Sequence, residues 1–170
     1  PIEIDADTPQ GSVLSPTLFN IMMTDIPQQT DIRLHLFADD ITISTTGTDI
    51  EVIAIKMQEY LDKISTWIED WGLILNIDKT KMQYFTSLKK SPPRLKMKGL
   101  EIAYVETQKL LGMYLDAPKL TWTKHINNLK YECLRRVDIL KALASSKWGA
   151  STKMHRLFYI SYIKAKIDYG

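Results

Sequence analysis

Ile32-Arg33-Leu34-His35-Leu36-Phe37-Ala38-Asp39-Asp40-Ile41-Thr42-Ile43-Ser44-Thr45 reads as two short strands joined at Phe37-Ala38-Asp39-Asp40. Ile32, Leu34 and Leu36 alternate onto one face, as do Ile41 and Ile43 after the turn, and Asp-rich dipeptides are natural turn formers. The pattern therefore places two adjacent carboxylates, Asp39 and Asp40, at a hairpin tip. Such a pair has two readings. A solvated surface turn carries it without difficulty, and a divalent cation also suits it, because hard cations prefer oxygen ligands. The surrounding sequence has to decide between them.

Before the hairpin, Ile2 and Ile4 alternate with Glu3 and Asp5 as a short strand, and Thr8-Pro9-Gln10-Gly11-Ser12 follows as a turn. Ser15-Pro16 then suggests an N-cap and a first helical position, with Leu18, Phe19, Ile21 and Met22 as an apolar stripe that Ile26-Pro27 ends. A Gly-containing turn feeding a helix start presents free backbone N–H groups, which suits a phosphate or simply starts a helix. After the hairpin, Ile53, Met57, Tyr60, Leu61, Ile64, Trp67, Ile68 and Trp71 predict an amphipathic helix of about six turns over 50–71, with Gly72 at its C-cap. Asn76 leads to Asp78-Lys79-Thr80-Lys81 and a strand-like Met82–Thr86.

Ser91-Pro92-Pro93 interrupts the chain, and Lys98-Gly99 is the expected turn of a hairpin. Lys109–Asp116 reads as one strand whose Gly112 signals a bulge or a close backbone approach. Beyond Thr123 two helical stripes are expected: Ile126, Leu129, Cys133, Val137, Leu140 and Leu143, then Met154, Leu157, Phe158, Ser161, Tyr162 and Ala165, connected by 145–149. The predicted class is α+β: an antiparallel sheet with helices on one face over 1–117, then an all-helical part over 118–170.

With 170 residues, 45% of them hydrophobic, the chain has enough apolar material for a globular core, and its net charge of +2 does not by itself announce a nucleic-acid binder. The single Cys133 excludes an internal disulfide, and no run is long and apolar enough for a membrane span or a leader. An intracellular protein without a membrane partner is expected. The chain opens on Pro1 and its first methionine is Met22, so a fragment of a longer polypeptide is expected.

Taken together, Pro9-Gln10-Gly11-Ser12-Val13-Leu14-Ser15-Pro16, Phe37-Ala38-Asp39-Asp40, Asn76 with Lys79-Thr80, and Leu111-Gly112 with Leu115-Asp116 resemble the reverse transcriptases of non-LTR retrotransposons, especially the jockey-like group. Leu120-Thr121-Trp122 with His125-Ile126 and the terminal Lys166-Ile167-Asp168-Tyr169-Gly170 resemble the later region of that group, so the likeness covers essentially the whole chain. It implies a polymerase palm portion followed by a helical thumb. It implies RNA template, DNA primer and deoxynucleoside triphosphates as partners, and magnesium, with manganese as the alternative, as cofactor. By the same resemblance Asp39 and Asp40 hold the metal, and Lys79, with Lys81 as a fallback, lies near the triphosphate. Gln10, Gly11, Ser12 and Phe37 bind nucleotide or template, while Leu111, Gly112, Met113 and Tyr114 support the primer. Lys124, Lys130, Arg135 and Arg136 meet duplex phosphates.

The chain departs from the family in three places. Phe37 stands where tyrosine is frequent, and Asp7 stands where glycine is usual. The upstream fingers and palm of the same polypeptide, with a further metal-binding aspartate, are expected outside this sequence; Asp5 and Asp7 sit too near the Pro-Gln-Gly turn to replace it. Without that carboxylate the fragment alone is expected to be inactive. Two alternatives remain: a catalytically dead nucleic-acid-binding relic of such an element, and a palm of the group II intron maturase type.

Overall fold

The computed structural model describes residues 13–88, 90–144 and 149–169. The expected strand over 2–5, the Thr8–Ser12 turn with Gln10, Gly11 and Ser12, and most of the connection over 145–149 lie outside the described residues. The chain forms two compact units. The first comprises the chain up to Met82 together with Ser91–Ala103, and the second comprises Gln83–Lys90 with Tyr104 onward. Helix and strand are mixed along the chain, as expected, but the described strands pair only two by two and do not make the expected single antiparallel sheet. Compactness does not divide the chain at Pro118, where strands give way to helices.

In the first unit, α1 (Ser15–Met23) is followed by β1 (Arg33–Phe37), β2 (Asp40–Ser44), α2 (Ile50–Asp70), β3 (Lys81–Met82), β4 (Lys96–Met97) and β5 (Leu100–Glu101). Ser15 lies inside α1 and Leu14 holds the cap position, which corrects the expected serine N-cap. Helix α2 organises this unit. Asp49 starts it by accepting the Glu51 N–H at 2.9 Å, satisfying one of the donors a helix start leaves open. Gly72 ends it at φ +63°, with Gly72 N–H on Glu69 O at 3.0 Å and Leu73 N–H on Ile68 O at 2.9 Å, the paired bonds of a Schellman motif. Ile68 belongs to the core and Leu73 packs against that core, where a Schellman cap usually has its apolar contact.

The buried face of α2 is Tyr60, Leu61, Ile64, Trp67 and Ile68, joined by Met23, Ile26, Ile32, Leu95, Met97 and Ile102. Leu34, Ile41 and Ile43 pack against that cluster, so the hairpin's apolar face is anchored as its alternation requires. Trp71, expected on the inward stripe, is 44% exposed because it is the residue on which the helix ends. Tyr60 hydroxyl donates to Pro27 O at 2.7 Å, and Lys56 pairs with Asp31, tying α2 to the chain that enters β1. The turn of β4–β5 is Lys98-Gly99, at φ +51° and +78°. Both signs are positive, as a tight two-residue hairpin prefers.

In the second unit, β6 (Ala103–Tyr104), which begins in the first, leads to β7 (Thr107–Leu110), β8 (Met113–Asp116), α3 (Thr123–Leu143), α4 (Thr152–Phe158), a π-helical segment (Tyr159–Lys164) and α5 (Ala165–Tyr169). The expected single strand over 109–116 is instead half of a hairpin that turns at Leu111-Gly112, with φ +47° and +88°. The expected strand Met82–Thr86 stops at Met82, because Gln83 donates its side-chain amide to Leu115 O at 2.9 Å and Thr86 N–H goes to Pro118 O at 2.9 Å. Every ladder among the described residues holds two strands, so no single larger sheet forms there. On α3, His125 is buried and Ile126 is 57% exposed, a one-residue correction to the predicted stripe. Along the last helical run the π segment widens the turn, and Ile163 is buried while the predicted Met154, Leu157 and Tyr162 are exposed.

Candidate metal centre and nucleic-acid surface

Strand register fixes what the β1–β2 hairpin presents. Leu34 faces Ile43, Leu36 faces Ile41 and Phe37 faces Asp40, leaving Ala38 and Asp39 as the two turn residues. Alternation puts Leu34, Leu36, Ile41 and Ile43 on the anchored face and His35, Phe37, Asp40 and Thr42 on the other. Ala38 holds φ +50°, a left-handed conformation that costs a non-glycine residue about 1–2 kcal/mol. Positive φ at the first turn position alone is the sign pattern of a II′ hairpin, whose twist suits the strands. The tip is thus strained, exposed and held from behind by the core.

Asp39 and Asp40 are both exposed, and Phe37 beside them is 63% exposed. Among the described residues neither carboxylate takes a hydrogen bond or joins an ion pair, so their oxygens remain available. Adjacent carboxylates of this kind fit a hard divalent cation, which takes six or more oxygen ligands. Two residues supply only part of such a shell, and no group of three His, Cys, Asp or Glu side chains converges among the described residues.

Asn76 organises the turn that carries Lys79. Its side-chain oxygen accepts Lys79 N–H at 3.1 Å, and its carbonyl accepts both Thr80 N–H at 3.2 Å and Thr80 hydroxyl at 3.0 Å. The spacing Asn76–Lys79–Thr80 therefore has a local physical cause, an Asn side chain closing the turn. Lys79 and Lys81 project from it exposed.

In the second unit, Leu111 and Gly112 form the tip of β7–β8, while Met113 and Tyr114 begin β8. Lys109, directly opposite Tyr114, lies 5.6 Å from the centre of its ring. Successive helical residues are about 100° apart, so Lys124 and Arg135 fall within about 20° of each other on α3 while Lys130 and Arg136 lie about 120° to either side. Of the four expected phosphate contacts, only Lys124 and Arg135 share a face. Tyr131, 61% exposed, lies between them and under the Arg135 guanidinium at 5.9 Å. Arg136 is turned to the π segment, where it donates to Tyr162 O and sits 4.3 Å from the centre of the Tyr162 ring.

Three residues carry geometry that the motif reading left without a role. Asp116 accepts Lys124 N–H at 3.0 Å and Thr121 hydroxyl at 3.2 Å, and so caps α3, whose own cap residue Trp122 has no side-chain bond. His125 Nδ1 accepts Tyr114 N–H at 3.4 Å, and Tyr169 hydroxyl donates to Leu111 O at 2.8 Å. A helix start lacking Ser, Thr, Asp or Asn immediately before it was the available signal for a remote cap.

The chain belongs to the reverse transcriptase (RNA-dependent DNA polymerase) family, whose model matches residues 2–142. It is of the non-LTR retrotransposon kind. It is 34% identical to the RNA-directed DNA polymerase from mobile element jockey of Drosophila melanogaster, over 98% of this chain and 19% of the relative. The jockey polymerase of Drosophila funebris is 31% identical over 85% of this chain and 16% of the relative. The probable RNA-directed DNA polymerase from transposon BS of Drosophila melanogaster is 29% identical over 97% and 19%. The chain thus spans about a fifth of the length of these relatives. No solved structure matches it.

Proposed function

We propose that this chain is the part of an RNA-directed DNA polymerase that contains the carboxylate hairpin of the palm and the helical thumb, and that it adds deoxynucleotides to a primer only together with the remaining palm and fingers of a longer polypeptide. The observation that carries this reading is the pair Asp39 and Asp40, unengaged among the described residues on a hairpin whose opposite face is fixed in the core. Bound magnesium or manganese would neutralise charge on the attacking and departing oxygens of phosphoryl transfer.

Asp39 and Asp40 would hold that cation through their carboxylate oxygens. Leu34, Ile41 and Ile43, packed against the core, would hold the base of the hairpin while its tip meets the cation. Phe37 would pack against the primer end or the incoming nucleotide with a ring that has no hydroxyl to hydrogen-bond. Lys79 would offset triphosphate charge or give a proton to the departing pyrophosphate. Gln10, Gly11 and Ser12 would line the nucleotide and template. Leu111 to Tyr114 would support the primer, and Lys124 and Arg135 would meet duplex phosphates through salt-sensitive contacts indifferent to sequence.

The test is extension of a DNA primer on an RNA template by the complete polypeptide and by its Asp39→Ala form. Loss of synthesis in the variant, with primer–template binding retained, is expected. Undiminished synthesis would sink the assignment.

A further inference from the structure

The β7–β8 hairpin is gripped at both ends by helices of its own unit. At the base, Asp116 uses both carboxylate oxygens. Oδ1 accepts from Thr107 hydroxyl at 3.4 Å, the residue directly across the ladder, and Oδ2 accepts from Thr121 hydroxyl and Lys124 N–H, the start of α3. One residue away, Ala117 N–H closes on Glu106 O at 2.6 Å. His125, 7% exposed, brings the first turn of α3 against β8 through Tyr114 N–H. At the tip, Tyr169 donates to Leu111 O, and its ring edge lies where a side chain on Gly112 would begin, 3.0 Å from that Cβ position. The contacts at the helix start are local, Asp116 and Lys124 being 8 residues apart, whereas the tip is held from far along the chain, Tyr169 and Leu111 being 58 residues apart.

A carboxylate of a preceding strand that caps a helix start ties that start to the strand, because it satisfies an open N–H there and the macrodipole favours its negative charge. We propose that Asp116 is a positioning residue that locks the β7–β8 hairpin to α3, with Tyr169 bracing the tip, so that the primer-supporting turn and the Lys124–Arg135 face engage a primer–template duplex as one body. The inference rests on the polymerase reading above and adds to it the residue that couples its two duplex-holding elements. Asp116 touches neither substrate nor metal in this account. Its effect is on how firmly the duplex is held and not on the chemistry.

The experiment measures steady-state primer extension by the complete polymerase carrying this chain, varying duplex and deoxynucleotide separately. Asp116→Ala is expected to raise the KM for duplex about tenfold, the factor given by losing an ordinary helix cap, while kcat and the KM for deoxynucleotide stay within about twofold. Asp116→Asn keeps an oxygen that accepts the Lys124 N–H and is expected to recover the duplex KM to within about threefold of the parent. Tyr169→Phe keeps the ring but removes the donor to Leu111 O, and is expected to raise the duplex KM about threefold.

A duplex KM unchanged in Asp116→Ala, or as poor in Asp116→Asn as in Asp116→Ala, overturns the proposal. Should Asp116→Ala fail to fold, Tyr169→Phe decides, and its unchanged duplex KM overturns the proposal equally. An Asp39→Ala control keeps the two readings apart. Undiminished synthesis there removes the polymerase reading and this one with it, whereas its loss alongside an unchanged duplex KM in Asp116→Ala and Tyr169→Phe removes the coupling alone.

Discussion

Replacing Gly112 with alanine separates two costs at the tip of β7–β8. The first is backbone strain: Gly112 holds φ +88°, and an L residue forced into the left-handed region costs about 1–2 kcal/mol. The second is contact. The new Cβ would stand 3.0 Å from Tyr169 Cε1 and 3.3 Å from its hydroxyl oxygen, so the ring must move, and the 2.8 Å bond from that hydroxyl to Leu111 O weakens or breaks. A net hydrogen bond contributes about 1 kcal/mol, which brings the whole to about 2–3 kcal/mol. Gly99 is the internal reference, since at φ +78° with nothing within 4 Å of its Cβ position it carries strain alone. The assay is urea denaturation of the parent, Gly112→Ala, Tyr169→Ala and the double variant, with Gly99→Ala alongside. Without the Tyr169 ring, Gly112→Ala should cost about what Gly99→Ala costs, giving a coupling of about 1 kcal/mol between Gly112 and Tyr169. Equal costs for Gly112→Ala with and without Tyr169 would refute the bracing contact.

Tyr60→Phe removes the donor to Pro27 O from a site only 1% exposed, and should lower stability by about 1–2 kcal/mol in urea denaturation. Burial raises the Tyr60 pKa above its ordinary 10.0, so this residue's contribution is complete below about pH 10 and is lost as pH rises through the folded value; the Phe form should lack that alkaline loss. Glu132 is held below its ordinary 4.5, first by the hydrogen bond from Lys166 and next by that from Asn128. Its contribution is present above about pH 4.5 and is lost as pH falls through the folded value, so Glu132→Gln should flatten the acid limb of a stability–pH curve. Asp49→Ala, which deprives Glu51 N–H of its acceptor, should cost about 1 kcal/mol, read by helical circular dichroism during denaturation.

Where local rules and tertiary structure agree, the sequence was sufficient. Helix α2 has an Asp N-cap, a continuous apolar stripe and a glycine stop, and its core follows from that stripe. The carboxylate hairpin and the Lys98-Gly99 turn follow equally from alternation and turn chemistry. The β7–β8 turn was hidden because Leu111 takes a positive φ that leucine rarely adopts, leaving Leu110-Leu111-Gly112-Met113 to look like continuous strand. Trp122, at φ +59°, is an unlooked-for helix cap for the same reason, and only the folded chain reveals that Asp116 does its work. The last helical run defeats a 3.6-residue period because six of its residues are π-helical. Of the candidate site, the placement of Asp39, Asp40 and Phe37 around one tip was legible. That Lys124 and Arg135 share a face which Lys130 and Arg136 do not was implicit in helix geometry.

The most direct test of the account is to map where a divalent cation sits. In the complete polypeptide, Fe²⁺ replacing magnesium in the presence of ascorbate and peroxide generates hydroxyl radicals that cut the backbone beside the bound metal. Cleavage within the hairpin around Phe37–Ile41, competed away by magnesium and lost in the Asp39→Asn, Asp40→Asn double variant, is the result expected. Cleavage that spares this hairpin, or that persists undiminished in the double variant, would contradict the claim that these two carboxylates hold the metal.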